Sequence, residues 1–301
     1  MKKINFVIIL FLVSFNLFGI KPDSTYYVTP NHFGLKYREV DFFTSDSIML
    51  KGWLIPAQQK VELDSMQLPA FYDNPVKNDY SIGDYSKSPT IIVCNGDGGN
   101  MSYNVWMANE FMSYGFNVFL FDWRGFGQSQ NWDIDHRLLV LPEFLIDYEA
   151  AINFIIQQPE VDFDGICLNG FSTGFYLSFA MAVTNTHVKC IAGRGLITTA
   201  KDLKDCLSIV KDTSQIIIPD NYPKNLYPLN CASELKVPIF MIVGENDDIT
   251  PVWMSEMVYS AVQSKKKLKI FPKEGHCGIE VNHRLSIFKE IADFFIESLH
   301  K

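Results

Sequence analysis

Three residue types that together perform nucleophilic catalysis stand just after three apolar runs of this chain. Ser172 lies in Gly170-Phe171-Ser172-Thr173-Gly174, directly after Ile166-Cys167-Leu168. A serine between two glycines in that G-x-S-x-G spacing can occupy a sharp, strained strand-to-helix turn that exposes its Oγ. Asp247, with Asp248 as the competing carboxylate, follows Ile242-Val243, and His276 sits in Gly275-His276-Cys277-Gly278 after Ile270-Phe271. A histidine within reach of the serine can take its proton, and a carboxylate on the other ring nitrogen holds the ring and stabilises the imidazolium. Each match alone is weak. A serine, an acid and a histidine in that order, each at the end of an apolar run, form a strong pattern.

A fourth stretch, Asn95-Gly96-Asp97-Gly98-Gly99-Asn100, follows the apolar run 90–94. Backbone N–H groups of such a loop, with that of the residue after the nucleophile, can hold the oxyanion of a tetrahedral intermediate. The expected donors are the amides of Asp97 and Thr173. No Lys-Ser/Thr follows the glycines, and no G-x-G-x-x-G with a downstream acid is present, so neither nucleotide loop fits. The Asp97 carboxylate would repel the developing charge and is expected to point away or to pair with a cation. Arg194, in Gly193-Arg194-Gly195, is expected to bind a substrate carboxylate or phosphate, to balance Asp97, or to sit in a structural ion pair.

The elements that must hold these residues are legible from pattern. Continuous apolar runs at 90–94, 118–121, 165–168, 189–192, 239–243 and 268–271 suit strands buried on both faces of a parallel sheet. Helical patterns at 105–114, 143–157, 174–184, 253–263 and 282–299 alternate with them. That alternation gives a mostly parallel, doubly covered α/β sheet whose ligand site lies at the carboxyl ends of the strands. Residues 36–56 alternate around the turn Thr44-Ser45-Asp46-Ser47 and predict an antiparallel hairpin in front of it. The stretch 57–89 is a polar insertion, and 200–234 is the segment large enough to be a small cap.

The chain has 301 residues, 48% apolar and 20% charged, with net charge −8. This composition excludes a disordered or fibrous chain, and the acidic balance argues against a nucleic-acid partner. The run Lys265-Lys266-Lys267 with Lys269 predicts a solvated edge. Residues 1–19 carry Lys2 and Lys3 ahead of the apolar stretch 4–18, which is short for a bilayer span. This segment is read as a secretory signal or an uncleaved anchor, giving an exported protein, periplasmic or secreted, with membrane attachment through 4–18 if it is retained. The six cysteines match no zinc spacing; Cys94 and Cys167 are expected as buried thiols, and one bridge among Cys190, Cys206 and Cys231 is left open.

These stretches resemble the α/β-hydrolase superfamily, and within it the Bem46-like group of small serine hydrolases. The likeness is carried by the hairpin 44–56, the loop 95–102, Phe121-Asp122-Trp123-Arg124-Gly125-Phe126-Gly127-Gln128-Ser129, and the three stretches around Ser172, Asp247 and His276. It implies an α/β-hydrolase domain over 33–301 that hydrolyses an ester, thioester or amide of a small-molecule acyl substrate, with no metal or organic cofactor. Ser172 is then the nucleophile and His276 the base. The family spacing selects Asp247 over Asp248, and Asp122 and Arg124 are expected to hold their loop by ion pairing. Phe175 stands where the family has a small residue, so the following helix is expected slightly further from the sheet. A serine peptidase of the prolyl-oligopeptidase type is the enzymatic alternative, and a catalytically inactive fold used for binding is the other.

Overall fold

A computed structural model of the chain describes residues 19–58 and 87–300. The apolar stretch 4–18 and most of the insertion 57–89 lie outside the described residues.

The eight strands of the main sheet are β1 (Arg38–Phe43), β2 (Met49–Ile55), β3 (Ser88–Cys94), β4 (Asn117–Phe121), β5 (Val161–Phe171), β6 (Val188–Arg194), β7 (Ile239–Gly244) and β8 (Lys266–Phe271). In space they run β1-β2-β4-β3-β5-β6-β7-β8. The hairpin β1–β2 is antiparallel, β2 also runs antiparallel to β4, and the remaining pairs are parallel. The central strands are buried on both faces, which is why they read as unbroken apolar runs.

Among the described residues the main helices are α1 (Val105–Phe111), α2 (Glu143–Ile155), α3 (Thr173–Thr184), α4 (Ala200–Val210), α5 (Val252–Ala261) and α6 (Arg284–Leu299), of which all but α4 pack on the sheet. Alternate residues of the strands feed two cores. Ile92, Leu168, Ile191 and Met241 pack beneath α2, α3 and α5, whereas Ile91, Cys167, Ala192 and Phe240 pack beneath α1 and α6.

The lysine-rich edge is not a free basic patch. Lys267 and Lys269 both reach Glu290 of α6, and Lys265 reaches Glu297.

The displacement expected from Phe175 does not occur. A side chain on Gly193 would lie 2.7 Å from the Phe175 ring, and one on Gly170 would lie 2.5 Å from the Phe175 Cα. Two glycines in neighbouring strands therefore make the room that a small residue on α3 would otherwise supply. The packing beside them stays close: a Cβ on Gly174 would lie 2.2 Å from the Cys94 carbonyl oxygen. Truncating the fully buried Phe175 to alanine would cost about 3–5 kcal/mol.

All six cysteines are free thiols; Cys167 and Cys190, paired across β5 and β6, bring their Sγ atoms to 3.0 Å.

Candidate active site

Ser172 follows the end of β5 and precedes α3 with φ 51° and ψ −116°, a conformation that L-residues avoid. The turn is held from both sides: the Ser172 amide donates to the Arg194 carbonyl at 2.9 Å, and the amide of Phe175 donates to the Ser172 carbonyl at 2.9 Å. The hydroxyl consequently stands clear of the sheet.

The His276 loop approaches it from beyond β8. His276 Nε2 lies 3.2 Å from Ser172 Oγ, and Nδ1 lies 2.8 Å from Asp247 Oδ2. Gly195 makes this approach possible, because a Cβ there would lie 2.9 Å from His276 Cε1 and 3.3 Å from Ser172 Cα, and its φ of 73° suits glycine. The loops bearing Asp247 and His276 are joined through their main chains, with Asn246 N donating to Glu274 O at 2.8 Å and Glu245 N to Phe271 O at 2.9 Å.

Of the two neighbouring acids, Asp247 is buried against the imidazole and Asp248 is exposed. Burial works against the Asp247 charge, but hydrogen bonds from His276 and Thr250 outweigh it and hold the carboxyl below its usual range. Thr250 is a site residue that the sequence pattern does not single out. Its amide donates to Asp247 Oδ1 at 2.8 Å, its hydroxyl donates to Oδ2 at 2.8 Å, and that hydroxyl lies 3.2 Å from His276 Nδ1.

Arg194 is part of the scaffold around His276. It is buried, its Nη1 donates to the His276 carbonyl, and its Cζ lies 3.5 Å above the Phe171 ring centroid. The Phe171 ring in turn lies 5.1 Å from the imidazole. Of the three roles open to Arg194, the geometry is that of a structural one: it supports the catalytic loop from behind, because β5 and β6 place Phe171 and Arg194 side by side.

Thr173 directly follows the serine at the start of α3, and Asp97 lies in the loop after β3. Among the described residues, neither amide donates to a protein acceptor. The Asp97 side chain is half-buried, with His276, Lys211 and Lys21 near enough to act on its charge. Burial pushes its pKa up, while the neighbouring His276, Lys211 and Lys21 pull it back.

The expected Asp122–Arg124 pair is replaced by two separate anchors. Buried Arg124 meets buried Asp147 at 2.7 Å and Asp46 of the hairpin turn at 2.7 Å. Asp122 instead accepts from the Met101 amide at 2.6 Å and from the Tyr26 hydroxyl at 2.5 Å. The two carboxylates that neutralise Arg124 come from α2 and the hairpin, so the motif ties its loop to distant elements.

The cap expected at 200–234 comprises α4, short helical turns and a strand-like contact at Ile217. Tyr222 stacks on Tyr227 with ring centroids 4.8 Å apart, and both are buried with Ile216. Tyr222 also meets Tyr176 of α3 edge-on at 6.2 Å. These aromatics pack the cap onto the body.

The eight-stranded order, the strained serine and the Ser-Asp-His order define an α/β-hydrolase, and the fold is that of a serine hydrolase. Residues 101–301 match the prolyl oligopeptidase family, and the chain belongs to it. It is 25% identical over 298 residues to the uncharacterized protein YfhR of Escherichia coli K12, covering 96% of this chain and 89% of that one. It is 24% identical over 276 residues to the protein bem46 of Schizosaccharomyces pombe, covering 90% and 80%. Among solved structures, the Pyrococcus furiosus esterase Pf2001 superposes with TM-score 0.71 at 16% identity, covering 94% of this chain and all (100%) of that one. The acylaminoacyl peptidase of Pyrococcus horikoshii superposes with TM-score 0.64 at 21% identity, covering 89% of this chain and 42% of that one.

Proposed function

We propose that the protein hydrolyses carboxylic esters of small acyl substrates through an acyl-enzyme on Ser172. The observation that carries this is the continuous line from Ser172 Oγ through His276 to Asp247, with contacts of 3.2 and 2.8 Å. Ser172 Oγ attacks the ester carbonyl and its proton passes to His276 Nε2. The carbonyl oxygen becomes an oxyanion, held by the amides of Asp97 and Thr173. Asp247, fixed by Thr250, keeps Nδ1 protonated and stabilises the imidazolium. The tetrahedral intermediate expels the alcohol, which takes the proton from Nε2. Water then attacks the acyl-enzyme with His276 again as base, releasing the acid and restoring Ser172.

The likeness to an esterase along nearly its whole length supports an ester as the substrate. The likeness to an acylaminoacyl peptidase favours amide hydrolysis as the second reading, with the same residues in the same roles.

The test is hydrolysis of p-nitrophenyl esters of increasing acyl length beside a dipeptide p-nitroanilide, by the protein and its Ser172→Ala variant. Ester turnover that vanishes with Ser172 supports the reading, and its dependence on chain length sizes the acyl site. Anilide turnover exceeding ester turnover transfers the protein to the peptidases. A serine that turns over neither substrate and takes no fluorophosphonate label supports the binding-only alternative.

A further inference from the structure

Two residues ahead of His276, the side chain of Glu274 is gripped from the far end of its own loop. Asn282 Nδ2 donates to Glu274 Oε1 and Oε2 at 3.0 and 2.9 Å, and His283 Nε2 lies 3.0 Å from Oε1. Gly278, with φ 113°, turns the chain so that the short helix Ile279–Asn282 comes back onto Glu274. The His283 ring also lies 4.7 Å from that of Phe271, the last residue of β8. The loop bearing the base is therefore a closed hoop, with residues 274 and 282–283 joined through one carboxylate.

The hoop keeps a conformation that needs holding. Lys273 takes φ 65°, a left-handed turn that is unfavourable for a lysine and persists only where its surroundings over-determine it. Its amide donates to Glu245 Oε2 at 3.0 Å, and the Glu274 carbonyl accepts from Asn246 N at 2.8 Å. The main chain at 273–274 is thus tied to the loop of Asp247, while the Glu274 carboxylate ties it to the start of α6. That second anchor is itself fastened. Arg284, the first residue of α6, donates to Glu110 Oε1 at 2.9 and 2.6 Å, and its Cζ lies 5.3 Å from the Trp106 ring centroid. Phe288, one turn on, meets Trp106 and Phe111 edge-on at 5.4 and 4.9 Å. Residues 282–284 therefore connect the loop of the base to α1, the helix that follows the oxyanion loop.

We propose that Glu274 is a positioning residue for His276: its carboxylate, held by Asn282 and His283, fixes the loop of the base against α6 and α1, so that the imidazole keeps its alignment with Ser172. The consequence for turnover rests on the hydrolase reading above; the position of the ring does not. Asp247 holds the His276 ring and Arg194 its carbonyl, both from the strands beside the nucleophile and beyond. Glu274 adds a third fastening from the edge of the sheet, through hydrogen bonds strengthened by its charge.

Glu274→Ala in the full chain opens the hoop. With p-nitrophenyl acetate its kcat should fall by about tenfold with KM little changed, because a displaced base costs the chemical step rather than binding. Glu274→Gln keeps an acceptor and should recover part of the rate. Asn282→Asp sets a second carboxylate against Glu274 and should cost clearly more than Asn282→Ala, which only deletes the donor. Equal rates for those two variants overturn the proposal, and this comparison decides if Glu274→Ala does not fold. The position of the ring is read separately, from the low-field proton NMR signal of His276 Nδ1–H, which the bond to Asp247 protects from exchange and which His276→Gln identifies by its loss. The signal should broaden in Glu274→Ala and sharpen again in Glu274→Gln. A lower melting temperature with kcat and this signal unchanged would make Glu274 a structural residue alone and overturn the proposal. A native chain that turns over no ester refutes the hydrolase reading, and the signal in Glu274→Ala then still decides whether Glu274 positions the ring.

Discussion

The guanidinium of Arg194 donates to the main-chain carbonyl of His276, with the Phe171 ring 3.5 Å beneath its Cζ. The catalytic histidine is thus held at its side chain by Asp247 and at its backbone by an arginine from the strand next to the nucleophile. Replacement Arg194→Met would remove both the donor and the cation–π contact, each worth about 1–2 kcal/mol where water is excluded. The expected result is a kcat lower by about tenfold with KM little changed, because the imidazole loses its fixed position. Arg194→Lys should recover part of the loss. Esters with anionic and neutral acyl groups should suffer equally, and a loss confined to anionic esters would instead place Arg194 against the substrate.

Thr250 supports the other side of the imidazole. Its hydroxyl and amide both donate to Asp247, which fixes the carboxylate plane toward His276 Nδ1. Thr250→Val keeps the shape and the amide bond while leaving Asp247 Oδ2 without the hydroxyl donor. Steady-state kinetics should show kcat/KM reduced by about tenfold, and fluorophosphonate labelling of Ser172 should slow in proportion. Thr250→Ser should restore the rate. Normal labelling by the valine variant would show that the carboxylate holds its position without the hydroxyl.

These relationships explain how far the sequence can be read. Strands β3 to β8 and the order of Ser172, Asp247 and His276 are legible because burial on both faces writes unbroken apolar runs and the site must follow their ends. Thr250 carries no motif of its own; the signal that could find it is its place three residues after Asp247, where an acidic side chain folds back on local amides. Arg194 is misleading in one dimension, as a charge after an apolar run. Only the register that sets it beside Phe171 shows what it serves. The pairing of Asp122 and Arg124 fails for the same reason, since their partners lie far along the chain, at Tyr26 and Met101 for the first and at Asp46 and Asp147 for the second.

Asp97 gives the cleft a carboxylate whose charge is felt by two lysines, Lys211 and Lys21, and by the catalytic imidazole. Asp97→Asn removes one negative charge and leaves both lysines, so the local potential becomes more positive. Relative kcat/KM for a succinyl ester over a matched cationic ester should therefore rise by about tenfold, as expected for a unit charge several ångströms away in a partly screened site. The effect should shrink at high salt. An unchanged ratio would mean that the carboxylate lies outside the path of the acyl group.

Asp122 fastens the segment after Gly19 to the start of the helix that follows the oxyanion loop, through Tyr26 and Met101. Burial lifts its pKa from 3.8 to about 7, against hydrogen bonds from Tyr26, Met101 and Gln128 that favour the charge. A carboxyl that binds its proton more tightly folded than unfolded contributes stability that is complete below the unfolded value and is lost as pH rises through the folded one. Between those values the change is about 1.4 kcal/mol per pH unit. The melting temperature should therefore fall by roughly 5 °C or more between about pH 5 and about pH 7, and level off above it. Asp122→Asn keeps a side-chain oxygen for the Met101 amide and has no proton to lose, so its melting temperature should fall clearly less across that window, the remaining fall coming from groups such as Asp147, whose burial lifts its pKa to about 6. The advantage of the native protein over this variant should then be largest at the acid end, and a constant difference between the two at every pH would rule out Asp122 as its source.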